Sequence, residues 1–187
     1  MEDTLEIQKQ SFLDEGPPSL TKRIDLLKRC IALIETHEQK IIEALNHDFK
    51  NRSVDEIKIS EIDQTIRNLL FTIRNLNKWM QPQRRFSSLG TDLIGAKSFL
   101  NPSPLGTIGI ISPWNFPVGL IFYPLASVFA AGNRAMIKPS EITPATANII
   151  KEGVKRYFDI SELGVITGGP AVGEQFSALK LDHLLFI

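Results

Sequence analysis

The sequence is poor in the side chains that build disulfide frameworks and zinc sites. Among its 187 residues there is one cysteine, Cys30, and there are three histidines, at positions 37, 47 and 183. One thiol cannot form an internal disulfide, and the histidines do not have the spacing of metal ligands. We therefore expect no disulfide scaffold and no bound metal ion.

The sequence also lacks an excess of either charge and a long apolar run. Lysine plus arginine and aspartate plus glutamate number 21 each, so no net field would attract nucleic acid or an anionic membrane. The longest apolar segment, 118–131, falls well short of the roughly 20 residues that span a bilayer. Residues 1–6 are acidic and polar, unlike a secretory signal. These absences predict a cytoplasmic protein that binds neither nucleic acid nor membrane.

The common glycine motifs for nucleotides are missing too. No G-x-G-x-x-G dinucleotide fingerprint occurs in the sequence. Residues 168–173 have the glycine spacing of a phosphate loop, but Glu174 and Gln175 stand where that loop carries its lysine and its hydroxyl. This excludes a nucleoside triphosphatase. The glycines alone indicate a tight turn and close helix packing.

The first hundred residues have the periodicity of helices. A short leading helix should end at residues 16–18, Gly-Pro-Pro, and Ser19 can cap the next helix. Apolar residues spaced by three and four then predict two helices; these residues are Ile24, Leu27, Ile31 and Ile34 in the first and Ile41, Ala44 and Leu45 in the second.

The clearest helical signal is a stripe of seven apolar residues: Ile59, Ile62, Ile66, Leu69, Ile73, Leu76 and Met80. Residues 53–56, Ser-Val-Asp-Glu, fit a capping box in front of it, and Pro82 should end the helix. Such a stripe could form a dimerisation zipper, but it more often packs against its own domain. After it, residues 83–101 suit strands or loops.

From Gly106 onward the pattern alternates between strand and helix. Strands are predicted at 107–112, 135–138, 164–167 and 184–187, and helices at 118–131, 143–157 and 170–179. Thr143-Pro144 reads as a cap with proline at the first helical position. Pro124 leaves open a later start for the first of these helices. The pattern predicts an α/β fold with a parallel sheet, and a sheet strand at the last residue predicts a truncated domain.

In a parallel sheet, ligands collect where loops leave the carboxyl ends of the strands. After the first strand, Pro113 and Pro117 bracket Asn115, whose amide could either donate to a developing oxyanion or cap the following helix. After the second strand, Lys138 and Glu141 could hold ribose hydroxyls or form a solvated surface pair. These two loops are the candidate site.

Three segments, taken in order, resemble successive motifs of the aldehyde dehydrogenase superfamily. They are GIISPWNFP at 109–117, AGNRAMIKPSE at 131–141 with Thr143-Pro144, and LDHLLF at 181–186. The leading helices and residues 75–85 resemble the branch that contains fatty, aromatic and coniferyl aldehyde dehydrogenases. The resemblance covers nearly the whole chain.

The resemblance implies a Rossmann-like domain that binds NAD, with NADP as the alternative, without the usual glycine fingerprint. It divides the chain into helices and bridging strands at 1–102 and a partial NAD(P)-binding domain at 103–187, with residues 86–101 in a bridging, oligomerising sheet. Asn115 would stabilise the oxyanion, and Lys138 and Glu141 would hold the adenosine ribose. The other cofactor-binding residues that it implies are Ile111, Ser112, Pro113, Trp114, Ser140, Gly169 and Gly173.

The chain departs from the family where the family continues. After the phenylalanine matching Phe186 the family has Thr-Gly-Ser, whereas this sequence has Ile187 and ends. The family's glutamate base and cysteine nucleophile would lie further on, and Cys30, on an early helix, cannot replace the nucleophile. We expect the N-terminal fragment of an enzyme that oxidises a small-molecule aldehyde to a carboxylic acid, inactive alone and homo-oligomeric at full length. The alternatives are a non-catalytic binding or regulatory subunit and a semialdehyde or acyl-phosphate reductase of the same superfamily.

Overall fold

The computed structural model describes residues 1–86 and 95–187. Its helices in chain order are α1 (Glu2–Glu15), α2 (Leu20–Thr36), α3 (Glu38–Phe49), α4 (Val54–Ile57), α5 (Gln64–Trp79), α6 (Gly119–Ala131), α7 (Pro144–Tyr157) and α8 (Pro170–Ser177), with a π-helical segment (Lys58–Asp63) between α4 and α5. The strands are β1 (Gln83–Arg85), β2 (Ser98–Leu100), β3 (Thr107–Ile111), β4 (Arg134–Lys138), β5 (Leu163–Val165) and β6 (His183–Phe186).

The second half of the chain forms the predicted parallel sheet. Its strand order is β5-β4-β3-β6, and every neighbouring pair is parallel. Strands β3 and β4 are buried along nearly their whole length, as parallel strands are when helices cover both faces of a sheet. The predicted α/β architecture is therefore confirmed.

The sequence signals at the first two helices are confirmed. Helix α1 ends at Gly16, and the Ser19 hydroxyl accepts a hydrogen bond of 3.3 Å from the Lys22 amide at the start of α2. In α2, however, the most buried face is rotated from the predicted stripe. Leu27 and Ile34 are fully buried as expected, whereas Ile24 and Ile31 are only half-buried and Cys30 is fully buried.

The long central helix contains a π-helical segment that its periodicity did not predict. Ile57 and Ile62 are both buried although they lie five positions apart along the chain. The wider π turn adds one residue to the spacing of three or four that places α-helical residues on one face. Ile59, assigned to the apolar stripe, is 67% exposed as a result. The capping box was also wrong: Ser53 makes no side-chain cap bond, and Glu56 instead pairs with Arg52 at 3.1 Å. The rest of the stripe packs against α2 and α6 in the same chain, as predicted.

Helix α6 begins at Gly119, so Pro124 lies within it and does not delay its start. It ends where the sequence predicted, at Gly132, which adopts a left-handed conformation with φ of 90°. A side chain at Gly132 would also collide with the Arg23 guanidinium, because an added Cβ would lie 2.6 Å from Cζ.

Strands β1 and β2 form an antiparallel pair, in line with the strands expected between residues 83 and 101. Residues 87–94 of that region lie outside the described part of the chain. A single cluster of buried apolar side chains includes Leu27 and Leu69 from the helices and Ile108 and Ile137 from the sheet. The two halves thus share one core, and a division at residue 102 stays a prediction. None of the described helices is both long and apolar enough to cross a lipid bilayer.

Candidate functional site

The two loops that carry the candidate residues leave the sheet at the same edge. Ile111, at the end of β3, is paired in register with Lys138, at the end of β4. The Ser112 amide donates a 3.1 Å hydrogen bond to the Lys138 carbonyl, so the first residue of one loop is bonded to the start of the other. The parallel sheet therefore brings the two sequence motifs together.

Lys138 and Glu141 form an ion pair at this edge. The Lys138 Nζ lies 2.6 Å from Glu141 Oε2, with the lysine side chain 4% exposed and the glutamate 39% exposed. The hydrogen bond from Lys138 holds the pKa of the Glu141 carboxyl below its usual value. The lysine is too buried for a solvated surface pair, which leaves a charged group fixed at the mouth of the sheet.

Beside this pair is a cleft of about 230 Å³. It lies between the turn after β4, the loop after β5 and the start of α7. The residues that line it are Pro139, Ser140, Glu141, Pro144, Ala147, Asn148, Thr167, Gly168 and Gly169. The cleft thus contains three of the predicted cofactor residues, namely Ser140, Glu141 and Gly169.

The two predicted glycines border this region differently. Nothing lies within 4 Å of the position that a Cβ would take at Gly169, which faces open space in the cleft. A Cβ at Gly173 would lie 3.8 Å from Lys138 Cε, so the first turns of α8 pack beside the lysine stem. The glycine loop after β5 is therefore a wall of the same site.

The loop after β3 lies outside the residues that line the cleft. Ser112 is buried and Ile111 and Pro113 are half-buried, whereas Trp114 and Asn115 are exposed. Within the described residues, the Asn115 side-chain amide has no hydrogen-bond partner. Its alternative role as a helix cap is overturned, because the first amides of α6 are bound by another residue.

That residue is Glu61, from the π-helical segment. Its Oε2 accepts hydrogen bonds from the Val118 amide at 3.1 Å and the Gly119 amide at 2.8 Å. Its Oε1 lies 2.8 Å from Arg52 Nη1, and the Arg52 and Glu61 side chains are 7% and 0% exposed. Burial raises the pKa of the Glu61 carboxyl, and the bonds from Gly119 and Arg52 oppose this shift. No sequence signal indicated this pair, because neither residue belongs to a motif.

The similarity of the sequence to known proteins decides the family. The profile of the aldehyde dehydrogenase family matches residues 13–186. The chain belongs to the aldehyde dehydrogenase family. All ten candidate site residues, from Ile111 to Gly173, lie within the matched part.

Similar aldehyde dehydrogenases are two and a half times as long as this chain. The chain is 47% identical to a probable coniferyl aldehyde dehydrogenase of Caulobacter vibrioides over its whole length, which is 39% of that relative. It is 41% identical to a coniferyl aldehyde dehydrogenase of Pseudomonas sp. strain HR199, covering 97% of this chain and 37% of the relative. The substrate-bound structure of Staphylococcus aureus AldH superposes with a TM-score of 0.92 at 32% identity, covering 98% of this chain and 39% of that one.

Proposed function

We propose that this chain supplies the adenosine half of an NAD site, together with the oxyanion-binding loop, to an aldehyde dehydrogenase. The observation that carries the proposal is the Lys138–Glu141 pair of 2.6 Å beside the cleft at the carboxyl edge of the sheet. Ligands of open parallel sheets bind at this edge. The family membership of the chain supports a nicotinamide cofactor at this site.

The pair fits the two hydroxyl groups of an adenosine ribose. The Lys138 ammonium can only donate hydrogen bonds, and the ionised Glu141 carboxylate can only accept them. A carboxylate there would repel a 2′-phosphate, which favours NAD over NADP. The apolar wall formed by Pro144 and Ala147 suits the adenine ring, and Gly169 leaves space for it.

The loop after β3 would serve the other end of the cofactor and the substrate. Asn115 presents an amide without a partner in the described structure, and such an amide can donate to the oxygen that becomes negative during aldehyde oxidation. The residues that would line the cofactor beside it are Ile111, Ser112, Pro113 and Trp114. NAD, when bound, would accept the hydride that leaves the aldehyde carbon.

The substrate that the relatives favour is an aromatic aldehyde such as coniferyl aldehyde, which the longer protein would oxidise to the acid. We infer that this chain alone does not turn the substrate over. Its only cysteine, Cys30, is fully buried, and burial raises the pKa of its thiol, so no thiolate is available for attack. A cytoplasmic location and a homo-oligomeric longer protein remain part of the same proposal.

Titration of the purified chain tests the proposal. We expect NAD to bind weakly, with Kd of about 1 mM or higher, and to bind more tightly than NADP, as measured by calorimetry and NMR. The Lys138→Met variant should lose this binding because it removes the ribose donor at nearly constant volume. Lys155→Met, at an exposed position on α7, is the matched control and should bind as the unmodified chain does.

Two results would contradict the proposal. One is equal NAD affinity in the Lys138→Met and Lys155→Met variants, which would place the cofactor elsewhere. The other is NADH formation from coniferyl aldehyde by the chain alone, followed by absorbance, which would show that the chain already contains a nucleophile.

A further inference from the structure

We propose that Arg52 and Glu61 are positioning residues that hold the Asn115 loop in place. Their importance for catalysis rests on the proposed function of Asn115, whereas their effect on the loop does not. The two residues contact the loop at successive points on the chain, from the Asn115 carbonyl to the Gly119 amide.

Glu61 uses both carboxylate oxygens. Oε2 accepts from the Val118 and Gly119 amides, which would otherwise be unpaired at the start of α6, and Oε1 accepts from Arg52. A carboxylate at a helix N-terminus is also favoured by the helix dipole. Glu61 therefore fixes the end of the loop where the chain enters the helix.

Arg52 holds the middle of the loop. Its Nη1 donates to the Asn115 carbonyl at 3.3 Å, and the same nitrogen binds Glu61. Its guanidinium contacts two aromatic rings, 4.9 Å from the centre of Phe116 and 5.2 Å from that of Phe49. One planar cation thus contacts the backbone of Asn115 and the ring of the next residue.

The π-helical segment places Glu61 where it can reach α6. Glu61 lies four residues after the buried Ile57 and so shares its inward face, and the extra residue of the π turn brings Ile62 to that face as well. The Tyr123 hydroxyl donates to the Ser60 carbonyl at 3.3 Å and joins α6 to the segment a second time. Burying an ion pair is costly, and apolar residues would fill the space more cheaply. The hydrogen bonds to the loop explain why charged residues are there.

The test measures the order of the loop by ¹⁵N relaxation in the chain without cofactor. In the unmodified chain, amides of residues 114–116 should have order parameters of about 0.85, like the sheet. In Glu61→Gln and Arg52→Lys we expect values that fall toward about 0.6, with a shift of the Asn115 side-chain amide signals. The matched control is Arg29→Lys, which weakens another arginine–glutamate pair, half-buried and formed with Glu162. It should lower the stability and leave the loop signals unchanged.

Unchanged loop order in the Glu61 and Arg52 variants, or values below about 0.6 in the unmodified chain, would overturn the proposal. If neither variant folds, Phe116→Leu decides, because Phe116 is 38% exposed and its loss is compatible with folding. It removes one of the two rings that contact Arg52, so the order parameters of Trp114 and Asn115 should fall, and unchanged values would overturn the proposal. A rigid loop in a chain that fails to bind NAD would refute the proposed function alone, whereas a mobile loop with intact NAD binding would refute only this inference.

Discussion

At the scale of single residues, Lys138 is the most informative side chain of the site. Its side chain is 4% exposed, while its partner Glu141 reaches solvent. A buried lysine needs a partner, because an unpaired charge is costly to remove from water. The pair therefore leaves the carboxylate ionised and facing the cleft, where a ligand with hydroxyl groups can reach it.

Glu141→Gln should reduce the preference of the chain for NAD over NADP. The change removes the negative charge that repels a 2′-phosphate, and at an exposed position this repulsion amounts to about 1 kcal/mol, or roughly fivefold in relative Kd. NMR titration of both cofactors measures the ratio. Glu35→Gln, an equal charge change at an exposed position on α2, should leave the ratio unaltered. A ratio that stays the same in Glu141→Gln would mean that Glu141 does not face the ribose.

At the scale of elements, two of the helices next to the site, α6 and α7, are capped by carboxylates from distant parts of the chain. Glu61 caps α6, and Asp48 at the end of α3 caps α7 by accepting from the Ala145 amide at 3.1 Å, the Thr146 amide at 2.9 Å and the Thr146 hydroxyl at 2.8 Å. The predicted cap of α7, Thr143, makes no such bond, and its buried hydroxyl has no partner in the described structure. Asp48 already satisfies these amides, which is why the local cap was wrong.

Asp48→Ala should therefore lower the free energy of unfolding by about 1 to 2 kcal/mol, the range measured for lost helix caps. Urea denaturation gives this value. Thr143→Val is the matched variant, because it replaces a buried hydroxyl without a partner by a methyl group, and it should be neutral or stabilising. A larger loss of stability in Thr143→Val than in Asp48→Ala would show that Thr143 is the cap of α7.

At the scale of the whole molecule, Glu162 connects the helical half to the sheet. This carboxylate just before β5 binds Arg29 through two hydrogen bonds of 2.8 and 2.9 Å and Lys22 at 2.6 Å, both on α2. Burial alone would raise the pKa of Glu162, but the bonds from Arg29 and Lys22 outweigh it and lower the pKa to about 2. A carboxylate that stays ionised thus joins the two halves in addition to their shared apolar core.

This predicts a specific acid sensitivity. Because the pKa of Glu162 is lower in the folded state than in the unfolded state, its contribution is fully present above about pH 5 and is lost as the pH falls toward 2. The full contribution is about 3 kcal/mol. Glu162→Gln should be less stable at pH 6 and should lose less stability between pH 5 and pH 3, as measured by urea denaturation. Glu152→Gln, at an exposed position, should keep the original pH dependence, and an identical slope in Glu162→Gln would exclude this role.

The sequence by itself determined the order of helices and strands, the parallel sheet and the family. Hydrophobic periodicity, Ser19 and Gly132 are local signals, and the motifs around Asn115 and Lys138 can be recognised without a structure. They also predicted that these two loops lie at one edge, because parallel strands share their carboxyl ends.

Only the tertiary structure decided which side chains complete that edge. Glu61 lies 58 residues before Gly119, and Asp48 lies 98 residues before Thr146. The π turn that moved Ile59 to the surface likewise arises where the helix packs on α6. The packing of the fold decides which acceptor lies close enough to bind the free amides at the start of a helix. These distances in space cannot be read from the spacing of residues along the chain.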